Sequence, residues 1–217
     1  MKPWELRRAA AAVFLPNRCP FCDELIGMRE LWCGRCYNRL RFMSDPEEIP
    51  EGLDGFMAVC CYSGRARSAV IRMKQGYYRY PIDAFAALIA ENAKPLLERA
   101  DVITAVPTGR ARKLELGYAQ SEKIARLISE MTGIPYLIAL SVTADKCEQK
   151  LLNAEERREN ALRAFSVCCP EAIRGKSVLV IDDVCTTGAT LWAVAEKLRN
   201  SGAASVMGAV FAKTVRN

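Results

Sequence analysis

The chain has 217 residues, of which 51% are hydrophobic and 26% charged, and this suits one α/β domain with a small appendage. No apolar run reaches the length of a membrane-spanning helix, and the net charge of +6 suits a protein that handles phosphates without by itself indicating nucleic acid. Because the sequence contains no histidine, a histidine general base and histidine zinc ligands are both excluded.

Four of the ten cysteines form two CxxC pairs near the N-terminus. Two CxxC turns are typical of tetrahedral zinc coordination by sulfur, which leaves no open position for catalysis. We therefore predict a zinc-binding module in residues 1–43 that needs the metal to fold, with the ligands Cys19, Cys22, Cys33 and Cys36. A redox-active CxxC is the alternative, although it does not explain two pairs. The module could also be a docking surface for a partner protein or DNA.

The first 16 residues contain basic side chains and a short apolar run, which we interpret as a short helix and not as an export signal. A metal site without an export signal favours a reducing compartment, so we expect the protein to be cytoplasmic. The other cysteines are expected to pack as small hydrophobic side chains.

Residues 44–55 (SDPEEIPEGLDG) are acidic and rich in proline and glycine, and we interpret them as a linker. Apolar strands alternate with helices in residues 56–217, which indicates a parallel sheet covered on both faces. The predicted strands are 56–62, 101–106, 135–140, 177–181 and 205–212. The predicted helices are 65–75, 82–99, 121–132 and 189–200, and the polar segment 143–164 is also helix-prone.

The most informative segment is the strand, loop and helix between residues 178 and 191, in which an apolar strand runs directly into Asp182 and Asp183. Ligands bind at the carboxyl ends of strands in open α/β sheets, and the N-terminus of a helix attracts phosphate. The two carboxylates could accept hydrogen bonds from sugar hydroxyls or hold Mg²⁺. Phosphate could receive N–H and hydroxyl donors from Thr186, Thr187, Gly188 and Thr190. The alternative is an ordinary capped helix with two solvated aspartates.

This string of residues resembles the phosphoribosyl-pyrophosphate signature of type I phosphoribosyltransferases. The resemblance implies that Asp182 and Asp183 contact the ribose hydroxyls and act as the catalytic residues. It also implies that the 5′-phosphate of 5-phosphoribosyl-1-pyrophosphate lies in the following loop, formed by Thr186, Thr187, Gly188, Ala189 and Thr190.

A second loop is expected to bind the diphosphate, at the end of the strand that begins at Asp101. The sequence places Val106, Pro107, Thr108 and Gly109 there, and Arg110, Arg112 and Lys113 follow. A surface turn with ordinary basic residues is the alternative.

Enzymes of this family also close a loop over the substrate to exclude water. Residues 143–164 have the matching position, and the candidate loop residues are Lys146, Gln149, Arg157 and Arg158. A solvated amphipathic helix explains this segment equally well.

The order of these motifs over nearly the whole chain resembles the ComF family of competence-associated, phosphoribosyltransferase-like proteins. The shared features are the cysteine motif, Val106–Pro107, the LGYAQSE segment, Gln149 followed by RRENALRAF, and DDVCTTGAT. One departure is at residues 116–120, which read LGYAQ where the family usually has an RGFNQ-like stretch. The roles of the missing arginine and asparagine are therefore in doubt, although Gln120 is retained.

Two functions remain open from the sequence. The first is a phosphoribosyltransferase that binds phosphoribosyl pyrophosphate with Mg²⁺, releases pyrophosphate and uses an acceptor that no residue identifies. The second is a non-catalytic module in DNA uptake or processing, with a helicase and single-stranded DNA as the partners that the ComF resemblance implies.

Overall fold

We describe the protein from a computed structural model, in residues 4–6, 10, 16–43, 49–75, 80–109, 113–114, 117–143 and 162–215. The central sheet contains β1 (Gly55–Cys61), β2 (Val102–Ala105), β5 (Ser177–Cys185) and β6 (Ser205–Lys213). These strands are all parallel and lie in the order β1-β6-β5-β2. A second sheet pairs β3 (Leu140–Val142) with β4 (Phe165–Val167) in antiparallel orientation.

Seven helices have bounds that the structure describes at both ends. They are α1 (Gly34–Tyr37), α2 (Gly64–Lys74), α3 (Tyr80–Asn92), α4 (Lys94–Leu97), α5 (Gln120–Thr132), α6 (Pro170–Ile173) and α7 (Ala189–Asn200). Gly133 ends α5 in the left-handed conformation with φ 81°, as its position after the apolar face predicts. None of the described helices is long and apolar enough to cross a membrane.

Helices cover both faces of the sheet, as the alternation of elements predicts. One face packs against α2, α3 and α5, through buried side chains such as Val70, Phe85 and Ile124. The other face packs against α7 and the β3–β4 pair, through side chains such as Leu191 and Leu140. Because both faces are buried, the strands are mostly apolar and do not alternate between apolar and polar residues.

Three of the predicted elements have different bounds in the structure. The prediction of one continuous helix at 82–99 is wrong, because the helix is interrupted at Ala93. Pro95 lies in the first turn of α4, where a missing backbone N–H is tolerated. The strand predicted at 135–140 is also wrong. Tyr136 forms only an isolated parallel bridge to Ile103, and β3 begins at Leu140.

The strand predicted at 177–181 is too short. β5 continues through Asp182 and Asp183 to Cys185, because β6 pairs with it as far as Lys213. The two acids therefore lie on the strand and not in the loop after it. Sequence patterns also missed β4 and α6, which are three and four residues long.

The described part of the cysteine-rich segment packs on the sheet. Phe21 is 2% exposed and its ring stacks on that of Phe211 in β6, with the centroids 6.2 Å apart. The carbonyl oxygen of Pro20 accepts a hydrogen bond of 2.6 Å from Arg72 in α2. Phe42 forms an antiparallel bridge to Cys60 at the free edge of β1. The segment is thus part of the same hydrophobic core as the sheet.

Candidate functional site

The carboxyl ends of β2 and β5 lie side by side. Ala105 is in register with Ile181, and the N–H of Val106 donates to the carbonyl oxygen of Ile181 at 3.0 Å. The segment after β2 therefore begins at the same level of the sheet as Asp182. This edge, where parallel strands end, is where ligands bind in open α/β sheets.

Asp182 is held at this edge by the first turn of α5. The hydroxyl of Ser121 donates to Oδ1 of Asp182 at 2.7 Å, and the N–H of Asp183 donates to the same oxygen at 2.9 Å. Burial, and secondly the negative charge of Asp183, raise the pKa of Asp182 to about 7. The pKa of this carboxyl group is therefore close to neutral pH, which is unusual for an aspartate.

Asp183 is 6% exposed and is paired with a lysine. The Nζ atom of Lys74, the last residue of α2, lies 2.9 Å from Oδ2 of Asp183. A buried carboxylate needs such a partner, because an isolated charge in the protein interior is strongly disfavoured. The adjacent acids thus have partners on two different helices.

The loop between β5 and α7 has the geometry of a helix N-terminus that is open to solvent. Gly188 is the N-cap, with φ 81°, and no side chain caps the helix. Thr186, Thr187, Ala189 and Thr190 are exposed, so the donors of the first turn lie at the surface. A Cβ atom at Gly188 would lie 3.1 Å from Cβ of Pro50, so the glycine also makes room for the segment before β1.

The second predicted loop is only partly described. Val106 is buried, and Pro107, Thr108 and Gly109 are half-buried after the end of β2. Lys113 is exposed, and its Nζ atom lies 3.4 Å from Oε2 of Glu122. Outside the described residues lie Arg110 and Arg112, together with all four candidate loop residues, Lys146, Gln149, Arg157 and Arg158.

Sequence reasoning missed the residues that hold the two acids. Ser121 had been placed at a helix start and Lys74 in the last turn of a helix, and neither pattern indicates a contact with Asp182 or Asp183. The LGYAQSE segment, which is one of the motifs shared with the ComF family, was a signal that this region belongs to the site, because it contains Gln120 and Ser121. Gln120 is 6% exposed, and its Nε2 atom has no hydrogen-bond partner among the described residues. Such a buried unpaired amide is uncommon in folded proteins.

The two CxxC motifs meet as the spacing predicts. The sulfur atoms of Cys19, Cys22, Cys33 and Cys36 all lie within 4.8 Å of one another. A tetrahedral zinc ion with Zn–S bonds of about 2.3 Å separates its sulfur ligands by about 3.8 Å. The sulfurs of Cys22 and Cys33 are 3.8 Å apart, so the cluster has the size that such an ion requires.

One thiol of this cluster ionises readily. Burial opposes the ionisation of Cys33, but a hydrogen bond from the backbone N–H of Cys36 and hydrogen bonds from the other three thiols lower its pKa to about 7. Burial raises the pKa of Cys36. Thiolates are the metal-binding form of cysteine, so a metal ion at this cluster would favour the ionised form of its four cysteines.

Comparison with known proteins finds one domain model and several curated relatives that match part of this chain. A model of the phosphoribosyl transferase domain matches residues 144–215, which include β5, the two acids and α7. DNA utilization protein YhgH of Escherichia coli O157:H7 is 32% identical over 111 residues, and Competence protein F of Haemophilus influenzae is 31% identical over 108 residues. These matches agree with the resemblance of the sequence motifs to the ComF family.

The extent of the match differs among these relatives. The alignments to YhgH of E. coli and to Competence protein F cover 51% and 49% of this chain but only 48% and 47% of the relatives, so the chain spans about half their length. YhgH of Salmonella typhi is 26% identical over 197 residues, with 87% of this chain and 80% of the relative covered.

Two solved structures with some likeness to this chain carry the word purine in their descriptions. An allosteric regulatory enzyme of purine biosynthesis is 26% identical, with a TM-score of 0.38 over 56% of this chain and 25% of that chain. A purine phosphoribosyltransferase from Pyrococcus horikoshii is 22% identical, with a TM-score of 0.39 over 61% and 73%. We assign the type I phosphoribosyltransferase fold from the family match and the parallel sheet flanked by helices.

Proposed function

We propose that this chain binds 5-phosphoribosyl-1-pyrophosphate with Mg²⁺ at the carboxyl ends of β2 and β5. The observation that carries the proposal is the position of Asp182 and Asp183, which lie near the carboxyl end of β5, ahead of the loop that leads to the N-terminus of α7. Carboxylates suit sugar hydroxyls and Mg²⁺, and exposed N–H groups suit a phosphate.

The two loops would then hold opposite ends of the ligand. Residues 186–190 would surround the 5′-phosphate with backbone N–H groups and threonine hydroxyls. The segment Val106–Gly109 would lie against the diphosphate, with Lys113 close to it in sequence. The carboxylates of Asp182 and Asp183 offer the oxygen ligands that Mg²⁺ prefers, and the ligand itself would supply the others.

The reaction that follows is the transfer of the phosphoribosyl group. The bond between C1 of the ribose and the diphosphate oxygen breaks, that oxygen keeps the electron pair, and an acceptor nucleophile forms a new bond to C1. Bound Mg²⁺ would stabilise the charge of the leaving diphosphate. The Asp182 and Asp183 carboxylates would orient the sugar hydroxyls and stabilise the positive charge that develops on the ring.

The same proposal includes a structural zinc ion at Cys19, Cys22, Cys33 and Cys36. Four sulfur ligands of suitable spacing complete a tetrahedral site, so a zinc ion there would have no position for a substrate.

Thermal stability measured with the sugar diphosphate tests the function. We expect phosphoribosyl pyrophosphate with Mg²⁺ to raise the Tm, because a ligand that binds only the folded state stabilises it, by about 2.7 kcal/mol at 100 times its Kd. Asp182→Asn with Asp183→Asn should lose this shift, whereas Glu98→Gln, an exposed residue on a remote helix end, should keep it. A wild-type protein that shows no shift and releases no pyrophosphate would contradict the proposal.

A second candidate is a non-catalytic role in DNA processing, which the names of the relatives favour. The rings of Trp32 and Tyr37 stack with centroids 5.5 Å apart, Phe42 packs on Tyr37, and Arg39 and Arg41 are exposed nearby in the chain. Aromatic rings with arginines can stack on the bases of single-stranded DNA. Salt-dependent binding of single-stranded DNA that is unchanged in the Asp182 and Asp183 variants would support this role. A helicase partner would be found by co-purification.

A further inference from the structure

The ion pair between Lys74 and Asp183 occupies the site that the function requires. Nζ of Lys74 lies 2.9 Å from Oδ2 of Asp183, and the lysine side chain is 42% exposed while the aspartate side chain is 9% exposed. The ammonium is therefore between a buried carboxylate and solvent. In the absence of ligand, this oxygen of Asp183 is therefore already paired with a positive charge.

The position of Lys74 is fixed by buried contacts around it. Met73, the preceding residue, is fully buried, and its carbonyl oxygen accepts a hydrogen bond of 3.2 Å from the hydroxyl of Tyr118. Tyr118 itself is buried and lies three residues before Ser121, which binds Asp182. The end of α2 and the start of α5 are thus joined to each other and to the two acids.

This arrangement limits the charge that a free metal ion would meet. When both carboxylates are ionised they carry a charge of −2, and the ammonium of Lys74 reduces this charge to −1. Mg²⁺ gives up its water reluctantly and is usually bound through one or two carboxylates together with substrate phosphates. An Asp183 carboxylate that is paired with Lys74 therefore attracts a hydrated Mg²⁺ ion only weakly. The Mg²⁺ complex of a diphosphorylated sugar, in contrast, already has phosphate oxygens as ligands of the metal.

We propose, on the basis of the function proposed above, that Lys74 is a specificity-determining residue of this site. Its ammonium holds the Asp183 carboxylate in the absence of ligand and excludes free divalent cations. The site consequently accepts Mg²⁺ only as the complex with the diphosphorylated sugar.

Calorimetric titration of zinc-loaded protein with Mn²⁺ in the absence of sugar tests the role of Lys74. Lys74→Gln keeps the stem and can donate a hydrogen bond to Asp183, but it removes the charge. We expect this variant to bind Mn²⁺ at least about tenfold more tightly than the wild type, a gain that a purely structural role would not produce. Adding Asp183→Asn to Lys74→Gln should abolish the gain, and Lys197→Gln, in the last turn of α7, should behave as the wild type.

The wild-type protein provides a second test. Binding of Mn²⁺ alone by the wild type, as tightly as by Lys74→Gln or in the micromolar range, would overturn the role of Lys74. That outcome differs from a failure of the proposed function, in which the sugar diphosphate with Mg²⁺ does not stabilise the wild type. A gain of Mn²⁺ binding in Lys74→Gln together with sugar-dependent stabilisation of the wild type would support both.

Discussion

Asp54 shows how a single residue connects distant parts of this chain. One of its carboxylate oxygens, Oδ2, accepts hydrogen bonds from the N–H of Val206 at 2.8 Å and the hydroxyl of Ser205 at 3.1 Å. The same oxygen lies 2.7 Å from NH2 of Arg199, which also donates to the carbonyl oxygen of Gly52. The sequence placed Asp54 in an acidic linker, and no local pattern indicates that it anchors the start of β6 and the end of α7.

These contacts predict a pH-dependent contribution to stability. Burial opposes the ionisation of Asp54, but the hydrogen bonds from Arg199, Val206 and Ser205 outweigh it and lower the pKa. A carboxylate with a lowered pKa in the folded state stabilises the protein above its unfolded pKa, and this stability is lost as the pH falls through the folded pKa. We expect Asp54→Asn to lower the free energy of unfolding by about 1 kcal/mol at pH 7, since the pair is partly exposed.

Urea unfolding of both proteins between pH 7 and pH 3 measures this contribution. The difference between the wild type and Asp54→Asn should be constant down to about pH 4 and should shrink below it. Glu171→Gln, in an exposed pair with Arg174, should show little difference at any pH. A difference for Asp54→Asn that grew on acidification would be the opposite of what this geometry predicts.

At the scale of elements, the start of α7 combines a backbone requirement with a packing requirement. Gly188 has a φ of 81°, and Pro50 lies 3.1 Å from the position that a Cβ atom would take. Gly133, after α5, has the same φ of 81° but no heavy atom within 4 Å of that position. A comparison of alanine substitutions at the two glycines therefore separates the free-energy cost of a left-handed backbone from the cost of crowding against Pro50.

We expect Gly133→Ala to destabilise the protein by about 1 kcal/mol, because an alanine is strained at positive φ. Gly188→Ala should cost more, since Pro50 must also move, and it should weaken phosphate binding at the loop if the proposed function is correct. Denaturant unfolding of both variants measures the difference in stability. Equal losses would show that Pro50 yields without cost and that the contact is unimportant.

At the scale of the whole molecule, the cysteine-rich segment and the α/β sheet share one core. Phe21, two residues after the first cysteine, stacks on Phe211 in β6, and the backbone N–H of Cys61 donates to the carbonyl oxygen of Arg41 at 2.8 Å. The boundaries of a separate module at residues 1–43 and of a linker at 44–55 stay a prediction. The contacts nevertheless indicate that the cluster supports the sheet directly.

Removal of the proposed zinc ion should consequently destabilise the sheet as well as the cysteine segment. We expect a chelator, or Cys22→Ser, to lower the Tm of the whole protein by at least about 10 °C in a single transition, since 1 kcal/mol corresponds to about 2–4 °C in a chain of this size. Differential scanning calorimetry with zinc analysis measures this. Cys168→Ser, an exposed cysteine outside the cluster, is the control. A second transition, with the sheet melting at the original temperature, would show that the segment is independent.

Local patterns in the sequence determined the parallel α/β class, the positions of the four longest helices, the cysteine cluster and the order of strand, acids, loop and helix at residues 178–191. Each of these depends on residues close together in the chain, where periodicity, CxxC spacing and glycine position are direct physical signals. Tertiary structure alone decided that Asp182 and Asp183 lie on a strand, that Ser121 and Lys74 hold them, and that Pro50 covers Gly188. Ser121 and Asp182 are 61 residues apart, and contacts at such separations depend on how whole elements pack, for which a single sequence has no local signal.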